Sequence, residues 1–415
     1  MLADFLIDSA DLVATCAGPG PRRGPAQREI TAIPQATVAA FEGRIVFVGP
    51  AAEAASAVTL APGGVRLDAR GRTVVPGFVD PHTHLVYAGD RREELQRRLA
   101  GATYAEVAAA GGGIVKTVSA TRAASEADLV DAARPRLEAM FATGTTTCEV
   151  KSGYGLTTES ELTMLRAARA LAARQPVEIV TTFMGAHEIP VEYRDRRDDY
   201  VRLVIDEMIP AVAREGLAEW CDVFCEQGVF TPEESRAILE AGARAGMKPR
   251  IHADELALSG GSRVAVEVGA RSADHLIFVD EPSARAMAEA GVIATLLPSA
   301  AFYLKLGRFA PARMLIDQGA AVALATDVNP GGGFATSMPF VMALGCFGMN
   351  LTLEEALIGA TLNAAASLDL ADRVGSLEVG KQMDAVVIDG MLSDLIRVGP
   401  RVIRTVVKKG LPHYF

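Results

Sequence analysis

The chain has 415 residues, 50% of them hydrophobic and 22% charged, which predicts a globular protein with one large domain and a smaller companion. A formal net charge of −10 with scattered lysines and arginines argues against nucleic-acid and acidic-membrane partners and favours a small-molecule substrate. The five scattered cysteines, the N-terminus without a cationic leader and the lack of an apolar run of about 18 residues predict a cytosolic protein with reduced thiols.

Both ends of the chain carry strand-like alternation of apolar and polar residues. The clearest stretches are 43–49, 384–388 and 402–407. Two strand-rich ends that flank one central region most economically pair into a single small domain. We therefore predict a composite β-sandwich domain built from residues 1–72 and 370–415.

Between these ends, apolar strand patterns alternate with alanine-rich amphipathic helix patterns. Eight strands are predicted, at 74–84, 145–150, 177–183, 220–225, 249–251, 272–275, 292–296 and 321–325. The helix patterns cover 125–143, 158–173, 197–214, 232–244 and 281–290. This spacing favours a TIM-type (β/α)8 barrel over 73–369 rather than a doubly wound sheet, and such barrels carry their chemistry at the C-terminal strand ends.

Residues able to bind a metal lie at the ends of three predicted strands. His82 and His84 are two residues apart, so on a strand both imidazoles face the same side and can bind one ion. His252 and Asp327 each close a buried run. Three nitrogens and one carboxylate oxygen suit zinc or a related divalent ion with a position left for water. The alternative for the first pair alone is two solvated histidines.

Two motifs, PGFVDPHTH at 76–84 and VGSLEVGKQMDA at 374–385, resemble the metal-dependent amidohydrolase superfamily. Further matching segments follow in order at 84–91, 149–156, 185–187, 252–255 and 327–331. The closer resemblance is to the branch that hydrolyses the ring C–N amide bond of 4-imidazolone-5-propanoate to N-formimidoyl-L-glutamate, the third step of histidine degradation. The resemblance implies one Zn²⁺ or Fe³⁺ ion per subunit, held by His82, His84, His252 and Asp327.

The resemblance also implies which residues contact the substrate, namely Arg91, Tyr154, His187, Glu255, Asn329, Gly331 and Gly332. Gly332 departs from the pattern, because a hydroxyl residue is expected there. A solvated Arg91, a core Tyr154 and a structural His187 are the alternatives that the residues alone leave open.

Catalytic roles follow from the chemistry of a ring amide, which is a poor electrophile. We expect Asp327 to accept a proton from the attacking water and His275 to stabilise the developing charge. Glu255 is expected to pass a proton to the departing ring nitrogen, although many relatives are expected to carry Gln there. Arg91 can bind the propionate carboxylate through two parallel hydrogen bonds.

Several alternatives stay open at this level. Lys151, if carbamylated, or Glu226 could bridge a second metal ion, although a single ion is favoured. The chain could instead be a cyclic-amidine deaminase of the same superfamily, or a catalytically silent binding scaffold. A homodimer is expected by default for this class.

Overall fold

A computed structural model of the chain describes residues 1–101, 112–397 and 401–415. Its strands are β1 (Leu2–Ala14), β2 (Ala32–Phe41), β3 (Arg44–Pro50), β4 (Thr59–Asp68), β5 (Arg72–Pro76), β6 (Phe78–Asp80), β7 (Thr145–Lys151), β8 (Glu178–Ala186), β9 (Trp220–Cys225), β10 (Lys248–Pro249), β11 (Ile251–Ala253), β12 (Ser272–His275), β13 (Ile293–Leu296), β14 (Val322–Leu324), β15 (Ala385–Asp389), β16 (Ile403–Lys408) and β17 (Leu411–Tyr414).

The described α-helices span Ala51–Ala57, Arg92–Leu99, Ile114–Ala123, Glu126–Ala142, Thr158–Ala172, Arg197–Leu203, Ile209–Glu215, Pro232–Arg244, Gly261–Glu267, Glu281–Ala290, Pro298–Tyr303, Ala312–Asp317, Met338–Met349, Leu353–Ala360 and Leu362–Ser367. Short 3-10 turns lie at Gly24–Arg28, Val191–Tyr193 and Leu392–Ile396, and a π-helical turn lies at Val204–Met208. Among the residues described, no helix has both the length and the apolar character needed to span a membrane.

Strands β6 to β14 form a nearly closed parallel barrel in the order β6-β7-β8-β9-β11-β12-β13-β14, with β10 beside β9. Hydrogen bonds just beyond the first and last strands join the two edges of this sheet. The Asp327 amide donates to the His82 carbonyl (3.1 Å), and the His84 amide donates to the Val328 carbonyl (2.8 Å). The predicted (β/α)8 barrel is confirmed, and its seam lies between the candidate ligands.

The two ends of the chain share a second, mixed sheet in the order β17-β16-β15-β5-β1-β2-β3, with β4 beside β1. Strand β1 pairs in parallel with β4 and β5, and the other neighbours pair antiparallel. The predicted association of both termini in a separate sheet region is therefore confirmed. The domain boundaries at 72/73 and 369/370 stay a prediction.

The predicted opening strand divides into two strands at Gly77. Strand β5 belongs to the terminal sheet and β6 to the barrel, so the chain crosses between them at this residue. A Cβ atom on Gly77 would lie 2.4 Å from Thr146 Oγ1, so the crossing requires a residue without a side chain. Because β6 ends at Asp80, His82 and His84 lie just past the strand, whereas the sequence placed them on it.

Local capping explains why the barrel helices begin where they do. The Ser125 and Thr231 side chains each accept the backbone N–H three residues ahead and complete a capping box. Asp280 accepts the Ser283 amide at the start of the helix Glu281–Ala290. The helix predicted over 197–214 is interrupted by the π-helical turn at Val204–Met208. The apolar faces of these helices pack around the barrel in the largest core cluster, which leaves the carboxyl ends of the strands for polar residues.

Candidate metal centre and active site

A cavity of about 500 Å³ opens at the carboxyl ends of the barrel strands. Eleven residues predicted from the sequence line it, namely His84, Arg91, Tyr154, His187, His252, Glu255, His275, Asp327, Asn329, Gly331 and Gly332. His82 lies beside His84 and His252 and is fully buried. The structure therefore brings all the predicted site residues to one place.

Four candidate ligand side chains converge on one point at the base of this cavity. Asp327 Oδ1 lies 3.6 Å from His82 Nε2 and 3.9 Å from His84 Nε2. His84 Nε2 lies 3.3 Å from His252 Nε2. A ligand atom from each of the three histidines lies within 4.8 Å of the others.

Buried carboxylates orient two of these histidines. His82 Nδ1 lies 2.7 Å from Asp274 Oδ2, and His252 Nδ1 lies 3.0 Å from Asp222 Oδ1. An ionised carboxylate accepts only, so each Nδ1 carries the hydrogen and each Nε2 presents a lone pair to the centre.

Two of the converging atoms have no hydrogen-bond partner. Within the described parts of the chain, His82 Nε2 and Asp327 Oδ1 are buried without one. Buried polar atoms are normally satisfied, and a cation between these two would satisfy both. The donor set of three imidazole nitrogens and one carboxylate oxygen therefore fits a divalent metal ion.

Burial shifts the pKa values of the site residues in opposite directions, toward the neutral form of both histidines and carboxyl groups. It lowers the pKa of His82 and of His84 well below the usual value, so both imidazoles are neutral at neutral pH. Burial raises the pKa of Asp327 to about 7. Burial, together with the charges of Asp327 and Glu226, raises the pKa of Glu255 to about 8.

Backbone turns at two strand ends direct side chains into the cavity. His275, the last residue of β12, has a φ of 74°, and Asp327, just after β14, has a φ of 54°. Non-glycine residues adopt this left-handed region at a cost, which is typical of functional sites. His275 Nδ1 then lies 3.6 Å from Glu255 Oε1, so the residue expected to stabilise charge is a neighbour of the expected proton donor.

One wall of the cavity is aromatic. The His187 ring stacks on the His84 ring with centroids 4.7 Å apart and an angle of 14°, and Tyr154 lies 5.1 Å from His187. His187 Nδ1 lies 3.0 Å from the Gly153 carbonyl oxygen and donates to it, which leaves Nε2 to accept a hydrogen bond from the cavity. Burial lowers the pKa of His187 to about 3, so this ring is neutral.

A buried glutamate that the sequence did not reveal holds the Tyr154 loop. The Glu161 carboxylate accepts backbone hydrogen bonds from Gly153 (2.9 Å), Gly155 (2.8 Å) and Leu156 (2.8 Å). These three hydrogen bonds fix the loop, so the Tyr154 side chain is held in a defined position in the cavity.

Arg91 also lines the cavity, and its side chain is 6% exposed. Its Nε donates to Glu94 Oε2 at 2.9 Å, and its guanidinium packs on the backbone of Gly331, where a Cβ atom would lie 2.5 Å from Nη1. Asn329 fastens the same loop, since its Oδ1 accepts the amides of Gly331 (2.8 Å) and Gly332 (2.6 Å). A fixed guanidinium therefore lines the same cavity as the histidines.

Sequence reasoning missed other cavity residues. Arg98 lines the cavity and donates to the Gly331 carbonyl, and Glu188, Leu304 and Lys305 also line it. The spacing could have revealed Arg98, because it lies seven residues after Arg91 and thus on the same face of the helix that follows Arg91. Leu304 and Lys305 follow a short helix, and no local pattern marks them.

The residues considered for a second metal ion are engaged elsewhere. Lys151 Nζ lies 2.7 Å from Glu149 Oε1 and 2.7 Å from Asp222 Oδ2, with all three side chains fully buried. Burial opposes the ammonium, but Asp222 and Glu149 outweigh it and raise the pKa of Lys151. Glu226 accepts backbone hydrogen bonds on both oxygens, from Gln227 and from Leu256, each at 2.8 Å.

Comparison with known proteins relates the whole chain to one family. The model of the amidohydrolase family matches residues 73–412. The imidazolonepropionase of Symbiobacterium thermophilum is 50% identical over 410 residues, which cover 98% of this chain and 96% of that protein. The imidazolonepropionase of Myxococcus xanthus is 48% identical over 92% of this chain and 90% of its own length.

Solved structures share the architecture at lower identity. An adenosine deaminase from Xanthomonas campestris with bound zinc superposes with a TM-score of 0.70 at 21% identity, over 99% of this chain and 93% of that one. An atrazine chlorohydrolase from Arthrobacter aurescens complexed with zinc gives a TM-score of 0.76 at 18% identity, over 99% and 95%. At these sequence identities the structural similarity shows a shared fold only.

Proposed function

The chain belongs to the amidohydrolase family, and from this premise we propose that it hydrolyses 4-imidazolone-5-propanoate to N-formimidoyl-L-glutamate. The observation that carries the proposal is the 50% identity to an imidazolonepropionase over nearly the full length of both chains. The bond cleaved is the ring C–N amide bond, which makes the enzyme a hydrolase. The curated relatives favour this reaction over the deamination of a heterocycle.

The shape of the cavity agrees with a small substrate that is polar at both ends. The converging His82, His84, His252 and Asp327 lie at its base and Arg91 lies on its wall. A ring amide set against the base leaves its propionate chain to reach the guanidinium, which can bind a carboxylate through two parallel hydrogen bonds.

The same four residues are proposed to hold one metal ion, Zn²⁺ or Fe³⁺. When bound, such an ion supplies Lewis acidity, which lowers the pKa of a water molecule toward about 7 and polarises an amide carbonyl. Two buried atoms without partners, His82 Nε2 and Asp327 Oδ1, support this assignment.

The chain's own residues are proposed to move the protons. The Asp327 carboxylate accepts the proton that the attacking water loses on the oxygen that does not bind the metal, and the neutral His275 imidazole hydrogen-bonds the carbonyl oxygen as charge develops on it. Glu255, whose pKa of about 8 keeps it protonated at neutral pH, donates a proton to the departing ring nitrogen. His187 Nε2 accepts a hydrogen bond from the ring and, with Tyr154, fixes its orientation.

The loop after β14 is proposed to complete the binding site. Asn329 binds the amides of Gly331 and Gly332 and so holds this stretch of backbone in the cavity lining. Gly332 offers no hydroxyl group, so its contribution is limited to backbone contact.

A spectroscopic assay tests the proposal directly. Purified enzyme with bound metal is mixed with freshly prepared 4-imidazolone-5-propanoate, and the loss of the imidazolone ultraviolet absorbance is followed beside an Asp327→Asn control. We expect rapid loss with the wild type alone and formation of N-formimidoyl-L-glutamate. Absence of turnover by fully metal-loaded enzyme would contradict the proposal, and turnover of a cyclic amidine instead would support a deaminase.

Two further expectations complete the proposal. We propose a homodimer, which sedimentation equilibrium tests, and a cytosolic enzyme, which cell fractionation tests. A monomer at micromolar concentration would contradict the first expectation without affecting the reaction.

A further inference from the structure

A buried ionic cluster lies beneath the three histidines. It consists of two cations and three carboxylates, and every one of these side chains has zero exposure: Lys151, Arg250, Glu149, Asp222 and Asp274. Burying five ionisable groups is costly unless their charges and hydrogen bonds are well matched. The contacts within the cluster therefore show which residues each group holds in place.

Lys151 lies at the centre of this cluster. Its Nζ is 2.7 Å from Glu149 Oε1, 2.7 Å from Asp222 Oδ2 and 3.8 Å from Asp274 Oδ2. The other cation, Arg250, is directed elsewhere, since its guanidinium donates to the carbonyls of Ser367 (2.7 Å) and Pro81 (2.9 Å). Arg250 approaches only Asp274 within hydrogen-bond distance, at 3.5 Å, so Lys151 is the cation that Asp222 contacts.

Two of the carboxylates near Lys151 contact histidines, and the third contacts the backbone between His82 and His84. Asp222 Oδ1 is 3.0 Å from His252 Nδ1, and Asp274 Oδ2 is 2.7 Å from His82 Nδ1. Glu149 Oε2 accepts the amide hydrogen of Thr83, the residue between His82 and His84, at 3.3 Å. The ammonium therefore lies next to the carboxylates that contact the His82 and His252 rings, and next to the one that holds the backbone between His82 and His84.

We propose that Lys151 is a positioning residue that sets the metal affinity of this site by holding the Asp222 carboxylate in place beneath His252, with Glu149 as its second partner. Without the ammonium, Asp222 Oδ2 loses a donor that lies 2.7 Å away, and the carboxylate is free to turn from the histidine. A His252 ring without a fixed partner at Nδ1 no longer directs Nε2 to the point where the other two histidines converge. The inference rests on the proposed metal site and goes beyond the residues that would bind the metal directly.

The test is a Lys151→Met variant, which removes the charge and keeps most of the side-chain volume. Zinc affinity is measured by competition with a chromophoric chelator at pH 7, on protein without substrate. We expect affinity to fall by about 10-fold to 100-fold, the range found when groups that orient metal ligands are removed. Nitrogen-15 NMR of the imidazoles should show a smaller Nδ1–H population for His252.

Lys408→Met is the matched control. Lys408 Nζ pairs with Asp384 Oδ2 at 2.8 Å, with both side chains 3% exposed, but the pair lies in the terminal sheet region. This variant also removes a buried ammonium, and we expect a lower Tm with zinc affinity within threefold of the wild type. An equal fall in zinc affinity for both variants would overturn the proposal, because the effect would then be one of general stability.

A double-variant cycle tests the route through Asp222. If Lys151 acts through this carboxylate, Lys151→Met should lower zinc affinity much less in an Asp222→Asn background than in the wild type. Full additivity, or wild-type zinc affinity in the single variant, would refute the proposal. Should Lys151→Met not fold, Lys151→Gln is expected to show the same loss, because its shorter side chain cannot reach Glu149 and Asp222 together.

Zinc binding is measured without substrate, so the outcome is independent of the proposed reaction. The wild type could bind zinc, and Lys151→Met could lower that affinity, while 4-imidazolone-5-propanoate is left unchanged. That result would support this inference and contradict the proposed function. A wild-type protein that binds no zinc or iron would overturn the inference together with the metal site.

Discussion

Arg91→Met is the most direct test of how the substrate carboxylate is recognised. The Arg91 side chain is 6% exposed and paired with a Glu94 side chain that is 7% exposed, so its charge acts in a poorly solvated environment. Its distances to Glu94 Oε2, 2.9 Å from Nε and 2.8 Å from Nη2, fix the guanidinium in the cavity wall. Methionine retains the length of the side chain and removes the donors.

The expected effect follows from this burial. Removing one member of a buried, hydrogen-bonded charge pair costs about 2 to 5 kcal/mol, a factor of about 30 to a few thousand in affinity. The loss should appear in kcat/KM for 4-imidazolone-5-propanoate, mainly as a raised KM, because the propionate is bound equally in the ground state and the transition state. Zinc affinity should not change.

Two controls separate recognition from damage. An imidazolone with an uncharged alkyl chain should be turned over by the wild type and by Arg91→Met with similar kcat/KM. Arg91→Met also leaves Glu94 buried without this partner, so the double variant with Glu94→Gln should recover stability without recovering the substrate KM. An equal loss of kcat/KM for both compounds, or an unchanged KM for the charged one, would refute the proposed role of Arg91.

Three further predictions concern the loop, the acid and the metal. Gly333→Ala should lower zinc affinity and activity at least 10-fold, because the new Cβ would lie 1.5 Å from the Asp327 carbonyl oxygen. Gly332→Ala is the control and should retain most of both, because its Cβ would lie 3.0 Å from the Leu304 side chain. Equal effects of the two variants would contradict this reasoning. In metal-free protein the raised pKa of Glu255 contributes stability that is present below the pKa of the unfolded state and is lost as pH rises toward about 8. Glu255→Gln should therefore raise the Tm by a few degrees at pH 8.5 and leave it nearly unchanged at pH 4. A change in Tm that does not depend on pH would contradict this prediction. Removing the metal with a chelator should abolish activity and lower the Tm, and zinc should restore both; activity that survives complete removal would contradict the metal mechanism.

Much of the barrel could be predicted because its strands are buried on both faces. Such strands appear as short continuous apolar runs, and those predicted at 145–150 and 220–225 are observed at Thr145–Lys151 and Trp220–Cys225. The helix predicted over 232–244 is observed at Pro232–Arg244 because its capping residues are local to the sequence.

The terminal sheet was harder to predict because its polar residues find partners far along the chain. Strand β1 contains Asp8, which breaks the apolar alternation that marks a strand. Asp8 accepts hydrogen bonds from Thr37 at 3.0 Å and Arg66 at 3.1 Å, from neighbouring strands of the sheet. A local pattern contains no information on these pairings, so β1, β2 and β4 went unrecognised.

The candidate metal ligands could be predicted from the sequence, but the carboxylates that orient them could not, because their contacts depend on how distant strands pair. His252, like His82, follows or ends a recognisable apolar run. Asp222 reaches His252 because β9 and β11 pair with Phe224 opposite His252. Asp222 lies two residues before Phe224, so its side chain is on the same face of the sheet as His252. A shift of one residue would turn Asp222 away, and the sequence of neither strand fixes that register.

The charge balance of the buried site predicts which metal it prefers. Lys151 and Arg250 oppose three carboxylates, which leaves one net negative charge beneath the histidines, and an ionised Asp327 adds a second. A divalent ion neutralises both charges, whereas a trivalent ion leaves a positive charge in a cavity wall of low dielectric constant, where an uncompensated charge is costly. Zn²⁺ should therefore raise the Tm of metal-free protein more than Fe³⁺ at matched saturation. A larger increase with Fe³⁺ would show that another group, such as an ionised Glu255, supplies a third negative charge.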